Sequence, residues 1–437
     1  MDLLSFFKWL NDSIFAVPTT LLFFGVGVFL TIKIGFLQVR GISRFIQLVR
    51  QGLKDSDKQE HKGTINSFHA MFTAMATTIG MGNIVGPSVA IMMGGPGALF
   101  WLILYIIVGS ATKFTEVVYA IVTRTRTNEG NFVGGPVRYL ESVYPWLGFW
   151  YGSVMIFLFM GWSALQANTL AQVFMLEHIP AWITGLGLSL ITLMVLSGGA
   201  KRVGLVASKL VPIMFVGYVS FALFILLKDM GAFIAALKLV AHSVFSPASA
   251  VGAFAGASIV QTMRIGIFRG IHITESGTGT SSIPHALADV KNPTDQGLLA
   301  MFSASADACL SFLSGMIVLV TGLWTQGVFR STLVYEAFKL NAPVLGQYVL
   351  LISISLFVLT TVIGNSFNGV QSFTALLKNR WVKTYIGLTL VSIFVGTLLH
   401  AQLIWEMMDT MLTLVVIPNL IGLVILSLKK PEALQVK

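Results

Sequence analysis

The sequence predicts an all-α polytopic membrane protein, and three observations predict it. Of its 437 residues, 55% are hydrophobic and 11% are Asp, Glu, Lys or Arg, against about 25% charged in a soluble domain. That is too little charge to coat a water-facing surface. Mean hydropathy is +0.82, and apolar stretches of roughly 17 to 25 residues recur along the chain, the length that crosses a hydrocarbon core as a helix. The 42 Gly and 13 Pro suit membrane helices, where neighbours re-satisfy freed backbone groups. The single cysteine, Cys309, cannot make an internal disulfide, and the seven His are scattered without zinc spacing.

Eleven spans follow in order, at 14–34, 68–93, 97–122, 147–175, 181–198, 205–227, 249–271, 299–324, 345–366, 384–402 and 406–428, with ends fixed to about 2 to 4 residues. The amino terminus has no short apolar core ahead of a small-residue cleavage site, so the first span is expected to stay in the mature chain. A net charge of +10 would suggest nucleic acid on a soluble domain, but here it reads as a topology code. Lys33, Arg40, Arg44, Arg50, Lys54, Lys58 and Lys62 follow the first span, and Arg124, Arg126 and Arg138 the third. Lys201, Arg202 and Lys209 follow the fifth, Lys378, Arg380 and Lys383 the ninth, and Lys429, Lys430 and Lys437 close the chain. The alternate loops hold only Lys8, Lys228, Lys238, Arg330 and Lys339. The amino terminus is therefore expected outside and the carboxyl terminus in the cytoplasm. The stretch 229–247 is too polar to span and is expected along the outer interface, or as an ordinary surface helix.

Two spans break the pattern. The second crowds Gly80, Gly82, Gly86 and Pro87 at its middle, where Gly costs about 1 and Pro about 3 kcal/mol in a helix interior. An interrupted helix explains them: a second half-helix beginning near Gly82 to Pro87 would aim free N–H groups at the bilayer centre, a site for a carboxylate. Carbonyls around Thr77 to Gly80 would suit a small cation. Tight helix packing through small residues is the competing explanation. The seventh span and its continuation hold Gly266, Gly270, Gly277 and Gly279 together with Arg264, Arg269 and Glu275, charges that mark a pathway or gate at that depth. These breaks open two halves of five spans, 68–227 and 249–428, the pointer to an inverted-repeat transporter. Around them lie an extra span and basic loop at 1–67, an interfacial segment at 228–248 and a tail at 429–437.

The runs GMGNIVG, GGPGALFW, ATKFTEVVYA, GNFVGGPVRYLE, LQANTLAQ, SGGAKRVGLVASKLVP and GIFRGIHITESGTGTSSIPHA, with later QGL, DAC and LFVLTTVIG, resemble the sodium-coupled alanine/glycine symporter family in order and across nearly the whole chain. The resemblance implies a leucine-transporter-type 5+5 inverted repeat with one extra span in front. It also implies sodium as coupling ion, a small amino acid as substrate, and a bacterial inner membrane as location. Three stretches depart from the family pattern: His272, Ile273 and Thr274 replace Phe-Ser-Asn, Val137, Arg138 and Tyr139 replace Met-Tyr-Tyr, and Asn365, Ser366 and Phe367 replace an aromatic run. They bear on substrate identity and stoichiometry more than on fold.

Thr360 and Thr361 lie in the span where this fold places side-chain sodium ligands, and hydroxyls with carbonyls from the broken second span, at Thr77 and Gly80, suit a hard cation. Each hydroxyl can instead bond the carbonyl one turn back. By the family's Gln-x-Asn run, Gln166 is the candidate for substrate recognition, with Asn168 and Gln172 on another helical face. Thr78, Gly80, Gly82, Asn83, Thr262 and Gly266 complete the expected substrate set, although capping the second half-helix is the readier role for Asn83. Arg269 and Glu275 are expected in a cytoplasmic gate, or as a static surface pair. Lys113, Glu116, Glu406 and Asp409 are read as structural groups near helix ends, the first two spaced for a local ion pair.

A passive channel should show charge rings or a repeated filter loop, and neither occurs. An enzyme needs a nucleophile with its base or a metal cluster; no His-Glu-x-x-His, Gly-x-Ser-x-Gly or Walker loop is found. The expectation is sodium-driven import of alanine or glycine, with serine, a D-amino acid or proton coupling as alternatives. No organic cofactor, nucleic acid or obligate protein partner is implied beyond the lipid bilayer.

Overall fold

The computed structural model describes residues 2–54, 64–127, 130, 132–245, 259–326, 333–378, 380–399 and 401–436. Lys58, Lys62, Arg330, Lys437, the end of the expected interfacial segment and the start of the seventh span, 249–258, lie outside them. The chain forms α1 (Leu3–Trp9), α2 (Ala16–Lys33), α3 (Leu37–Arg40), α4 (Ile42–Lys54), α5 (Ser67–Thr78), α6 (Met81–Gly94) and α7 (Gly97–Val122). A short hairpin, β1 (Thr125–Arg126) with β2 (Phe132–Val133), leads to α8 (Pro136–Glu141), α9 (Pro145–Leu176), α10 (Ala181–Leu196), α11 (Gly199–Lys228) and α12 (Met230–Ser243). Then come α13 (Ile259–Thr274), α14 (Ser282–His285), α15 (Pro293–Val320), α16 (Leu333–Asn341), α17 (Leu345–Leu377), α18 (Val382–Gly396) and α19 (Ala401–Lys429).

Every expected span contains a helix. Among the described residues seven helices are long and apolar enough to cross a membrane, or eight if the bent pair that opens the chain is one span. Helices α10, α13 and α18 have 16, 16 and 15 described residues, about 24 Å at 1.5 Å per residue. Exposed Ile213, Val216 and Phe224 on α11 and Leu388 and Val391 on α18 give the outer surface an apolar face where lipid belongs. Helix α7 packs against α13 and α15, and α9 against α17, α18 and α19. The expected interfacial segment supplies α12. The basic loop is anchored where Arg44 donates to both carboxylate oxygens of Asp295 at the start of α15, at 2.9 and 2.8 Å.

Both expected breaks exist, with shifted positions. In the second span the helix stops at Thr78 and restarts at Met81, earlier than the Gly82 to Pro87 expected. Gly82, Gly86 and Gly94 lie inside α6, where Cβ atoms would meet Ile273, Ile273 and Ile265 of α13. For Gly86 and Gly94, whose Cβ atoms would come within 3.1 and 3.3 Å of these isoleucines, the packing explanation holds. In the seventh span α13 runs unbroken through Gly266 and Gly270, and the chain unwinds over 275–281. Gly266 is where α13 crosses α7: a Cβ there would lie 2.7 Å from the Trp101 Cβ and against the Ala98 carbonyl. Helices this close need glycine at the crossing.

Candidate functional site: a cavity between two helix breaks

The first break is two residues wide. Ile79 and Gly80 take extended backbone, and the Gly80 φ of −148° is open to any residue. Glycine is required for another reason: a Cβ would stand 2.5 Å from the Thr361 Oγ1. The α6 N-terminus is capped from within, Gly80 N–H donating to Asn83 Oδ1 (3.0 Å) and Asn83 N–H to the Gly80 carbonyl (3.1 Å). Met81 N–H donates to Gln166 Oε1 at 3.4 Å, and Gln166 lines the cavity that opens here. On the opposite side Thr361 donates to the Phe357 carbonyl (2.8 Å) and lies 3.3 Å from the Ile79 carbonyl. A hydroxyl and a carbonyl are thus brought together where α5 loses its helical partners, oxygen chemistry that suits a hard monovalent cation.

The second break is seven residues wide, and other helices hold it. Glu275, Gly277 and Gly279 have φ of 54°, 89° and 86°, left-handed values that glycine adopts without strain. Its carbonyls are partnered in turn: Ser276 by Tyr105 (2.9 Å), Gly277 by Asn419 (2.9 Å) and Thr278 by Tyr151 (2.7 Å). Asn419 also donates to Glu116 Oε1 (2.9 Å) and accepts from Tyr139 (2.5 Å). Every residue in this set is buried, so each hydrogen bond replaces one that water would otherwise supply.

Between the breaks is a cavity of about 50 Å³, room for on the order of four waters. Its lining includes Thr77, Thr78, Gly82, Trp162, Gln166, His272, Glu275, Thr361, Asn365 and Trp405. The His272 Nδ1 lies 3.0 Å from the Phe268 carbonyl, and its Nε2 lies 2.8 Å from Asp409 Oδ1, a pair set by proximity more than by an aligned hydrogen bond.

The structure therefore brings Thr77, Thr78, Gly82, Gln166 and Thr361 to one cavity, with Gly80 directly behind Thr361. Glu275, expected in a gate, also lines this cavity, whereas Thr360, Thr262, Gly266, Asn83 and Arg269 are not on its lining. Thr360 donates to the Leu356 carbonyl (2.9 Å) and faces Met214 of α11, because a neighbour on a helix points about 100° away. Thr262 donates to the Gly94 carbonyl (2.8 Å) at the far end of α6, and Gly266 is a helix crossing. Asn83 sits behind the cavity, its amide 3.2 Å from Asp307 Oδ1. Arg269 and Glu275 form no gate pair: Arg269 stacks 5.4 Å over Trp405, whereas the left-handed turn at Glu275 sends its side chain to Thr77 and Thr280.

Sequence reasoning misplaced the buried charges. Lys113 and Glu116 do not pair; Lys113 is wholly buried with Asp307 3.8 Å away, and Glu116 is taken by Asn419. Glu406 accepts from Asn11, and Asp409 lies against His272 of the cavity lining. The signal was present: Lys113, Glu116 and Asp307 stand inside apolar spans rather than at their ends, where an ionisable group is a functional candidate by default.

The model of the sodium:alanine symporter family matches residues 1–436. The chain is 31% identical to the sodium/alanine symporter AgcS of Methanococcus maripaludis, over 98% of this chain and 95% of that protein. It is 30% identical to GlnT of Bacillus subtilis, described as a probable sodium/glutamine symporter, over 95% and 87%. Among solved structures it is similar to MhsT in complex with L-phenylalanine, with a TM-score of 0.63 at 12% identity over 84% of this chain and 90% of that one. That likeness carries the leucine-transporter-type fold.

Proposed function

We propose, on the premise that the chain belongs to the sodium:alanine symporter family, that it couples sodium entry to import of a small neutral amino acid, alanine or glycine, by alternating access. It is a multi-pass membrane protein and a secondary transporter rather than an enzyme. One observation supports the reading above others: a cavity of about 50 Å³ at the narrow break, lined by Thr78, Gly82 and Gln166, with the Thr361 hydroxyl against the Ile79 carbonyl. In this reading the substrate carboxylate meets the Thr78 hydroxyl, the Gly82 N–H in the first turn of α6 and the Gln166 amide nitrogen. Sodium lies between Thr361 and the carbonyls of the break, from Thr77 to Gly80. The small volume leaves no room for a long side chain without movement of Trp162 or Trp405.

The remaining expectations join the proposal: five-span repeats at 68–227 and 249–428, a bacterial inner membrane, the amino terminus outside and the carboxyl terminus inside. The test is uptake of labelled alanine and glycine into proteoliposomes with and without an inward sodium gradient. Uptake that follows the gradient, competed by both amino acids but weakly by glutamine, supports the proposal. Gradient-independent uptake, or glutamine as the preferred competitor, contradicts it.

A further inference from the structure

One ammonium and three carboxylates, those of Lys113, Glu116, Glu275 and Asp307, are buried at 4% exposure or less. Lys113 lies 3.8 Å from Asp307, its one carboxylate partner among the described residues. Asp307 also takes the Asn83 amide, and Glu116 takes the Asn419 amide. Glu275 is different. It lines the cavity, and its side-chain partners are hydroxyls, Thr280 donating to Oε2 and Thr77 lying 3.4 Å from the same oxygen. The Thr77 hydroxyl is itself committed to the Ala74 carbonyl at 2.8 Å. Among the described residues the Oε1 of Glu275 takes no hydrogen bond. The one other ionisable side chain on the cavity wall, His272, is engaged by Asp409 at 2.8 Å.

A carboxylate buried without a cation is costly, and removing one partner of such a pair is costlier than removing both. The positive charge that Glu275 lacks in the protein is one that a zwitterionic ligand brings. We propose that Glu275 is the counter-charge for the ligand's ammonium group, so that the cavity selects molecules with a free cationic amine beside a carboxylate. The inference rests on the reading that an amino acid occupies this cavity and adds which residue reads its amine. It assigns Glu275 to recognition in place of gating. The lining carries both kinds of group: Thr78, Gly82 and Gln166 offer donors, and Glu275 offers an acceptor. Lactate has the shape of alanine with a hydroxyl in place of the ammonium, and N-acetylalanine keeps the nitrogen without its charge.

The experiment compares binding of L-alanine, L-lactate and N-acetyl-L-alanine to the full-length protein in detergent at fixed sodium, by titration calorimetry. The native protein is expected to prefer alanine over lactate by about a hundredfold or more, since a site built for a polar group rejects its isostere. In Glu275→Gln, alanine should weaken by about the same factor while lactate changes little, so the preference collapses toward unity. Glu275→Asp keeps the charge on a shorter stem and should retain the preference at reduced affinity, which keeps the test open if the glutamine variant does not fold. A Glu275→Gln protein that still separates alanine from lactate as the native protein does, or a Glu275→Asp protein that has lost the preference, overturns the inference. If alanine, glycine, serine and glutamine all fail to bind the native protein, the parent reading fails, and that result is distinct from binding without amine selectivity.

Discussion

The two helix breaks face one cavity but are built differently. The break between α5 and α6 is two residues wide, takes backbone angles open to any residue, and is capped by its own Asn83. The break after α13 is seven residues wide, has three positive φ values, and hands three successive carbonyls to Tyr105, Asn419 and Tyr151. The first is narrow and is limited by what approaches it, the Thr361 hydroxyl above all. The second is held from outside, and its conformation depends on buried partners from four other helices. The difference teaches that a broken span can be a contact point or a scaffolded loop, and that substitutions in each should fail in different currencies, ligand affinity in one and stability in the other.

The sharpest way to separate them is Gly80→Ala. Its Cβ would lie 2.5 Å from the Thr361 oxygen, an overlap of the kind that costs about 1 to 3 kcal/mol, so sodium activation of alanine uptake should fall roughly ten- to hundredfold. Normalising to folded protein checks that the loss lies in function. At the wide break, Asn419→Leu strips partners from Gly277, Glu116 and Tyr139 together. It should lower stability by about 2 to 4 kcal/mol, read as a depressed unfolding midpoint in detergent, with the sodium dependence of the surviving protein unchanged. If instead that variant melts normally and loses sodium dependence, the contrast between the breaks is wrong.

Gly82→Ala should do least. Its Cβ would meet His272 and Ile273 at 3.9 Å, ordinary contact, so affinity for alanine relative to glycine should move by less than about threefold, within surface-like tolerance. A large rise in the alanine KM alone would show that this position, and not only the cavity walls, sets substrate size.

Much of this was legible in the sequence. Run length located a helix within each expected span, and the cluster at 80–87 announced a break because glycine and proline are costly in a helix interior. Which glycine did the breaking was not legible. Gly82, Gly86 and Gly94 repeat at multiples of four and face α13, a packing spacing, whereas Gly80 stands out only once Thr361, far along the chain, is folded against it. The second break was displaced for a similar reason: Gly266 and Gly270 pattern like breakers but are crossings against α7. The scaffold of tyrosines and Asn419 carries no local signature, since its members are spread over α7, α8, α9 and α19 and meet only in three dimensions. Thr360 and Thr361 were equivalent in sequence and became distinct when the helix fixed which of them faces the break.

That distinction supplies the most direct test. Thr361→Val and Thr360→Val each remove one hydroxyl at nearly constant shape, and sodium activation of alanine binding can be measured for both at matched amounts of folded protein. The account predicts that Thr361→Val raises the sodium concentration for half-maximal binding by about tenfold or more, the loss of one oxygen ligand, while Thr360→Val leaves it within about twofold. Equal effects in the two variants, or an unchanged sodium dependence in Thr361→Val, would contradict the claim that the narrow break and Thr361 together hold the coupling ion.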